Sequence, residues 1–129
     1  MVYLLDTNII IDALNARRDR PAQLQELVAK GNTLACCSIN VTEVCSGMRR
    51  GEEAATENLL RSLDFYPVTF RVAWLAGLLK RDYSKKGKVL TVPDATIAAV
   101  AIHNQIPLIT DNVRDFPMNE VQLYSLNIH

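Results

Sequence analysis

The sequence predicts an α/β fold in which short buried strands alternate with amphipathic helices, and three observations carry that expectation. At 129 residues, with 49% apolar and 22% charged side chains, the chain suits one domain with one compact core and is too apolar for a disordered segment. Residues 2–5 and 108–110 are largely apolar runs without polar alternation, the pattern of strands covered on both faces, and each stops at a carboxylate, Asp6 or Asp111. Between and around them, apolar residues recur three and four apart, as on the buried stripe of a helix. In open parallel α/β sheets the carboxyl ends of the strands form the ligand crevice, so acids delivered there are site candidates from the outset.

Taken in order, residues 2–5 form the first strand. Asp6, Thr7 and Asn8 then place short polar side chains where they can cap a helix, and Ile10, Ala13 and Leu14 continue it to the polar run 15–20. Pro21 suits a helix start, with Leu24, Leu27 and Val28 at helical spacing and Gly31 as the stop. Residues 33–37 make a second short strand. Ser38 is the expected N-cap of the following helix, whose buried stripe is Val41, Val44, Cys45 and Met48. Glu43 lies about 200° round that helix from Val41, so its carboxylate points off the stripe and can reach the carboxyl edge of the sheet.

Ala55, Leu59 and Leu63 mark the next helix. Residues 65–68 read as a brief strand or extended connection, because Pro67 is unsuited to a central strand. Val72, Leu75, Ala76, Leu79 and Tyr83 make a long amphipathic stripe. Trp74 and Leu78 add a second apolar row, which points first to a deeply buried helix and second to a subunit contact. Residues 89–92 extend toward Pro93, and Asp94 opens a helix over 95–104 whose alanines signal close packing. A first-turn acid is also favoured there by the helix dipole alone. The strand 108–110 leads to Asp111, Asn112 and Asp115, and 121–126 reads as an edge strand. No internal repeat, linker or domain boundary interrupts residues 1–129.

The formal net charge is zero, so bulk electrostatics does not advertise a nucleic-acid partner. Two local clusters do stand out: Lys80, Arg81, Lys85, Lys86 and Lys88 opposed only by Asp82, and Arg17, Arg18 and Arg20. Such runs are usually solvated helix ends or loops, and they gain meaning only beside a phosphate-cleaving site. Cys36, Cys37 and Cys45 are odd in number and lack C-x-x-C spacing, while His103 and His129 are too sparse to complete a zinc site. The three cysteines therefore read as small buried hydrophobes. The longest apolar runs, such as 97–102, fall far short of a membrane span, and no basic start or processing site marks a signal peptide. A cytoplasmic protein with no membrane partner is expected.

Asp6, Glu43, Asp94, and Asp111 or Asp115 come from four separate places, and each follows a strand or opens a helix. Carboxylates gathered at one edge repel and raise one another's pKa unless a cation neutralises them. Mg²⁺ or Mn²⁺ suits such oxygen ligands and can activate water and stabilise a leaving oxygen in phosphodiester hydrolysis.

Four motifs then carry a specific resemblance: L-L-D-T-N-I-I-I-D at the start, S-I-N-V-T-E-V around Glu43, V-P-D-A-T-I-A-A-V-A around Asp94, and L-I-T-D-N-V-R-D-F over 108–116. In this order and spacing, over nearly the whole chain, they resemble the signatures of PIN-domain ribonucleases, most closely the VapC-type toxins of toxin–antitoxin pairs. The resemblance implies a three-layer sandwich with a central parallel β-sheet flanked by helices, and Mg²⁺- or Mn²⁺-dependent cleavage of RNA, single-stranded or tRNA-like. It also implies a homodimer and a small cognate antitoxin. Asp6, Glu43 and Asp94 match the family's metal-binding acids. The fourth position varies in the family, and Asp111, Asn112 and Asp115 compete for it here, with Asp111 counted among the metal ligands. Thr7, Asn8, Thr110 and Asn112 match the polar residues that orient those acids or the attacking water. Lys85, Lys86 and Lys88 are the candidates for holding RNA phosphates.

Two other classes fit less well. A receiver-type signalling domain wants an acidic pair after the first strand and a Lys after a late one, whereas Asp6 has no acidic neighbour and no Lys follows residues 108–110. A haloacid-dehalogenase-like phosphatase needs D-x-D, and here the second acid is replaced by Asn8. The closer rival is a catalytically silent PIN-like module that binds RNA or a partner, distinguished by metal occupancy and turnover.

Overall fold

A computed structural model describes residues 1–126 of the chain. Its strands are β1 (Val2–Leu5), β2 (Thr33–Cys37), β3 (Asp64–Tyr66), β4 (Leu108–Ile109) and β5 (Leu123–Tyr124). They form one parallel sheet in the order β3-β2-β1-β4-β5. β1 is central, with Leu4 opposite both Ala35 and Leu108. The helices are α1 (Thr7–Leu14), α2 (Arg20–Ala29), α3 (Ser38–Ser46), α4 (Glu53–Ser62), α5 (Phe70–Lys85) and α6 (Val92–Asn104), with a 3₁₀ turn at Val113–Asp115.

Successive residues of a strand face opposite sides of the sheet, and that alternation sorts the core into two layers. Leu4, Ala35, Cys37 and Leu108 face α5 and α6, packing with Val72, Ala76, Leu79 and the alanines of α6. Leu5, Leu34, Cys36 and Ile109 face the other way, against Ile9, Ile10, Leu24, Leu27, Val44 and Leu60. Every central strand is thus covered on both faces, which is why β1 reads as an unbroken apolar run. β3 and β5 occupy the edges, where the Pro67 that follows β3 breaks no ladder. The turn into β2 is made by Gly31, whose φ of +92° lies in the region that an L side chain rarely enters.

Several local expectations shift. Cys37, not Ser38, is the N-cap of α3; the Ser38 hydroxyl instead accepts the Val68 N–H at 3.0 Å and ties down the chain after β3. α6 starts two residues before Asp94, with Thr91 as its cap and Pro93 in the first turn, where the missing N–H costs nothing. In α4 the buried residues are Thr56 and Leu60, while Ala55 is exposed, because the helix faces the core one residue on from the predicted stripe. Cys36 and Cys37 are buried, and burial pushes the Cys36 thiol up to about 11, but Cys45 is exposed. Val28 is also exposed. Trp74 is 61% exposed, so the second apolar row on α5 does not signal deep burial. His129 lies outside the described residues. Among those residues no helix is long and apolar enough to cross a membrane.

Candidate active site

Asp6 stands where β1 gives way to α1, with φ −68° and ψ 153°, and its carboxylate caps the helix by accepting the Thr7 N–H at 2.9 Å. The second oxygen accepts the Thr110 hydroxyl at 2.7 Å, and that hydroxyl in turn accepts the Asn112 N–H at 2.9 Å. The backbone closes the same junction, since the Asp6 N–H donates to the Ile109 carbonyl at 2.9 Å. β1 and β4 therefore deliver Asp6 and Thr110 to one point because they are paired neighbours.

Glu43 arrives from α3. Its Oε1 accepts the Thr7 hydroxyl at 2.6 Å, so the first turn of α1 reaches the acid that α3 presents. Behind Thr7 lies Asn40, fully buried, whose Nδ2 donates to Thr7 Oγ1 at 3.0 Å and whose Oδ1 accepts the Cys37 N–H at 2.8 Å. Asn40 escaped the sequence reading as a site residue. Its one signal was its place three residues before Glu43, on the same helical face.

Asp94 sits in the first turn of α6, where its N–H donates to the Thr91 hydroxyl at 3.1 Å. Burial raises its carboxyl above the ordinary aspartate value, and the charges of Asp115 and Glu43 raise it further, against help from Thr91 and Lys88. Asp6 is raised as well, first by burial and then by Asp94 and Glu43, despite hydrogen bonds from Thr110 and Thr7. Asp6 thus lies within electrostatic reach of Asp94 and Glu43, and Asp94 within reach of Asp115 and Glu43, on the side of the sheet where β1 ends.

The four side chains offer only oxygen. Among the described residues no three potential ligands stand close enough to enclose an ion by themselves. Donors that are all carboxylate oxygens fit Mg²⁺ or Mn²⁺, which keep several waters, better than zinc, which favours nitrogen and sulfur.

The family profile described as the PIN domain matches residues 3–118. This chain belongs to the PIN-domain family. Ribonuclease VapC19 of Mycobacterium tuberculosis is 34% identical over 115 residues, spanning 89% of this chain and 92% of that protein. The structure of VapBC2 from Rickettsia felis, bound to a promoter DNA fragment, matches with a TM-score of 0.82 at 27% identity. The match covers 97% of this chain and 98% of that one. A toxin–antitoxin complex from Klebsiella pneumoniae matches with a TM-score of 0.75 at 30% identity over 92% and 94% of the two chains. The parallel sheet with helices on both faces is thus the PIN-like α/β fold.

Within this PIN domain Asp111 has a different set of neighbours. Arg20 is fully buried; its Nη2 donates to Asp111 Oδ2, and its Nη1 donates to Gln23 Oε1 at 3.0 Å. Arg18 Nη1 stands 3.4 Å from the same Asp111 oxygen, and Asp12 Oδ2 lies 3.6 Å from Arg20 Nε. A buried guanidinium needs carboxylate partners, so Asp111, expected among the metal ligands, is engaged in an ion pair that ties α2 to the chain after β4. Arg20 is correspondingly not a solvated cation. Asn8 is exposed on α1, and Asn112 contributes its backbone N–H to Thr110. Lys85 and Lys86 are exposed, with Lys86 Nζ 4.8 Å from the Tyr83 ring centroid. Lys88 lies near enough to Asp94 to draw its carboxyl down.

Proposed function

We propose that this PIN domain is a Mg²⁺- or Mn²⁺-dependent endoribonuclease, the toxin of a toxin–antitoxin pair acting in the cytoplasm. The observation that carries the reading is the convergence of Asp6, Glu43, Asp94 and Asp115 from four elements onto one edge, where their charges oppose one another. The ribonuclease name of the relatives supports it. Asp6, Glu43 and Asp94 would hold the cation, with Asp115 rather than Asp111 in the fourth position, because Asp111 is bound up with Arg20. When bound, such a cation lowers the pKa of a water and stabilises the leaving oxygen of a phosphodiester. The chain's own part is orientation: Thr110 fixes Asp6, and Thr7 fixes Glu43. Lys88 supplies positive charge beside Asp94, and the exposed Lys85 and Lys86 just before it would add to it where the acids would otherwise repel RNA.

A small antitoxin is the proposed partner, as the solved toxin–antitoxin complexes suggest. An apolar hollow of about 670 Å³, lined by residues such as Ile10, Leu24, Val28, Leu34, Leu59 and Leu63, offers a groove for an apolar segment of that partner.

Incubating the purified protein with single-stranded RNA tests the reading. Cleavage is expected with Mn²⁺, none with chelator, and none from a folded Asp94→Asn variant. RNA bound but left intact by the wild type under all conditions would overturn the nuclease and favour a silent RNA-binding module.

A further inference from the structure

We propose that Asn40 is a positioning residue, which dictates where the Thr7 hydroxyl proton points and thereby which way the Glu43 carboxylate is held. The inference rests on the active site proposed above and deepens it by one residue.

The hydrogen-bond chemistry leaves a single arrangement. The Cys37 N–H can only donate, so the atom of Asn40 that meets it at 2.8 Å must be the amide oxygen. That fixes the amide's orientation, and its nitrogen faces Thr7 Oγ1 at 3.0 Å. The nitrogen has protons only to give, so the Thr7 oxygen must accept there. Its one proton is then directed to Glu43 Oε1 at 2.6 Å. The chain runs in one sense, from the Cys37 backbone through Asn40 and Thr7 to Glu43.

Burial makes the order firm. Asn40 is fully buried and Thr7 nearly so, which limits competition from water for both groups. Asn40 also belongs to the same helix as Glu43, one turn earlier, so the amide braces its own helix neighbour across α1. One oxygen of Glu43 is thereby claimed by Thr7, and the carboxylate is held at a set angle to the acids it faces. Without the amide, the Thr7 hydroxyl would be free to rotate, and the carboxylate would lose its brace.

Outer partners of this kind typically change metal affinity 10- to 100-fold. The test is a double-mutant cycle on Mn²⁺ binding, followed by titration calorimetry of the metal-free protein. Asn40→Ala and Thr7→Val should each weaken Mn²⁺ binding by about tenfold, while Thr7→Ser, which keeps the hydroxyl, should bind as the wild type does. In the Thr7→Val background, Asn40→Ala should weaken binding no further, because the amide acts only through that hydroxyl. Additive losses, or an Asn40→Ala variant that binds Mn²⁺ within twofold of wild type, would overturn the proposal. Should Asn40→Ala fail to fold with its Cys37 N–H unpaired, Asn40→Ser takes its place in the cycle. A serine oxygen can still accept from that N–H but falls short of Thr7, so the same loss is expected. Asp94→Asn, measured alongside, separates the two readings. If it binds Mn²⁺ and cleaves RNA normally, the active site itself is wrong and Asn40 falls with it. If it is inactive while the cycle is additive, only the role of Asn40 falls.

Discussion

At Asp94, burial and two acidic neighbours outweigh the help of Thr91 and Lys88, so the folded protein holds this proton to a higher pH than the unfolded chain does. A carboxyl raised in this way contributes stability fully present below its unfolded pKa and lost as pH rises through its folded pKa. At pH 7 without metal, Asp94 is therefore a liability, and Asp94→Asn should raise the Tm in chelator by a few degrees at most, given the partial exposure of the site. Scanning fluorimetry should show that advantage shrinking as pH falls toward 4, where the wild-type carboxyl takes up its proton; a constant or growing difference would contradict the linkage. Asp111 and Asp115 should separate by a different measure. Asp111→Asn weakens a buried ion pair and should lower the Tm, with a cost of up to about 3 kcal/mol, while Asp115→Asn should leave stability nearly unchanged and reduce cleavage. The converse pattern in melting and RNA assays would restore Asp111 to the metal site. Asp6, Glu43 and Asp94 were legible as acids following strands or off a helical stripe. The ion pair of Asp111 was not, because its partner Arg20 lies 91 residues away and spacing along the chain cannot show a buried pair.

Among the elements, strand runs and helical periodicity were visible because each depends on neighbours within a few residues, and their ends were less so. α6 illustrates the reason. Thr91 and Asp94 are both competent near a helix start, and the choice fell to Thr91, whose hydroxyl accepts the Asp94 N–H. The end of α5 and the loop after it carry the element-scale prediction. Lys88 stands beside Asp94 and Lys85 and Lys86 are exposed, so RNA crossing the acids should meet this segment. For single strands the slope of log K against log salt is about −0.7 per phosphate contact, and replacing all three lysines by Ala should make it shallower by up to ~2. Fluorescence anisotropy with several RNA sequences should show uniform weakening. An unchanged affinity and salt slope would make the segment an ordinary solvated loop.

At the scale of the molecule, the exposed face of α5 is the feature most at odds with a solitary chain. Phe70 is 80% exposed and stacks on Trp74 with ring centroids 6.1 Å apart, which presents two aromatic side chains outward. A homodimer built across this face is the expected use, and Trp74→Glu should weaken it at least tenfold, or about 1.4 kcal/mol. Sedimentation equilibrium decides: a wild-type protein that stays monomeric at high micromolar concentration removes the dimer. The sheet order carries a consequence of another kind, in time rather than space. The hydrogen bond from Thr110 to Asp6 joins residues 104 positions apart, and β4 is added to the sheet beside β1 only once residues 108–109 exist. At ordinary rates of synthesis that separation takes roughly 5 to 20 s to elongate. Until residue 94 is added the growing polypeptide holds Asp6 and then Glu43 without Asp94 or Asp115, so the acids proposed to share a cation come together only late in synthesis.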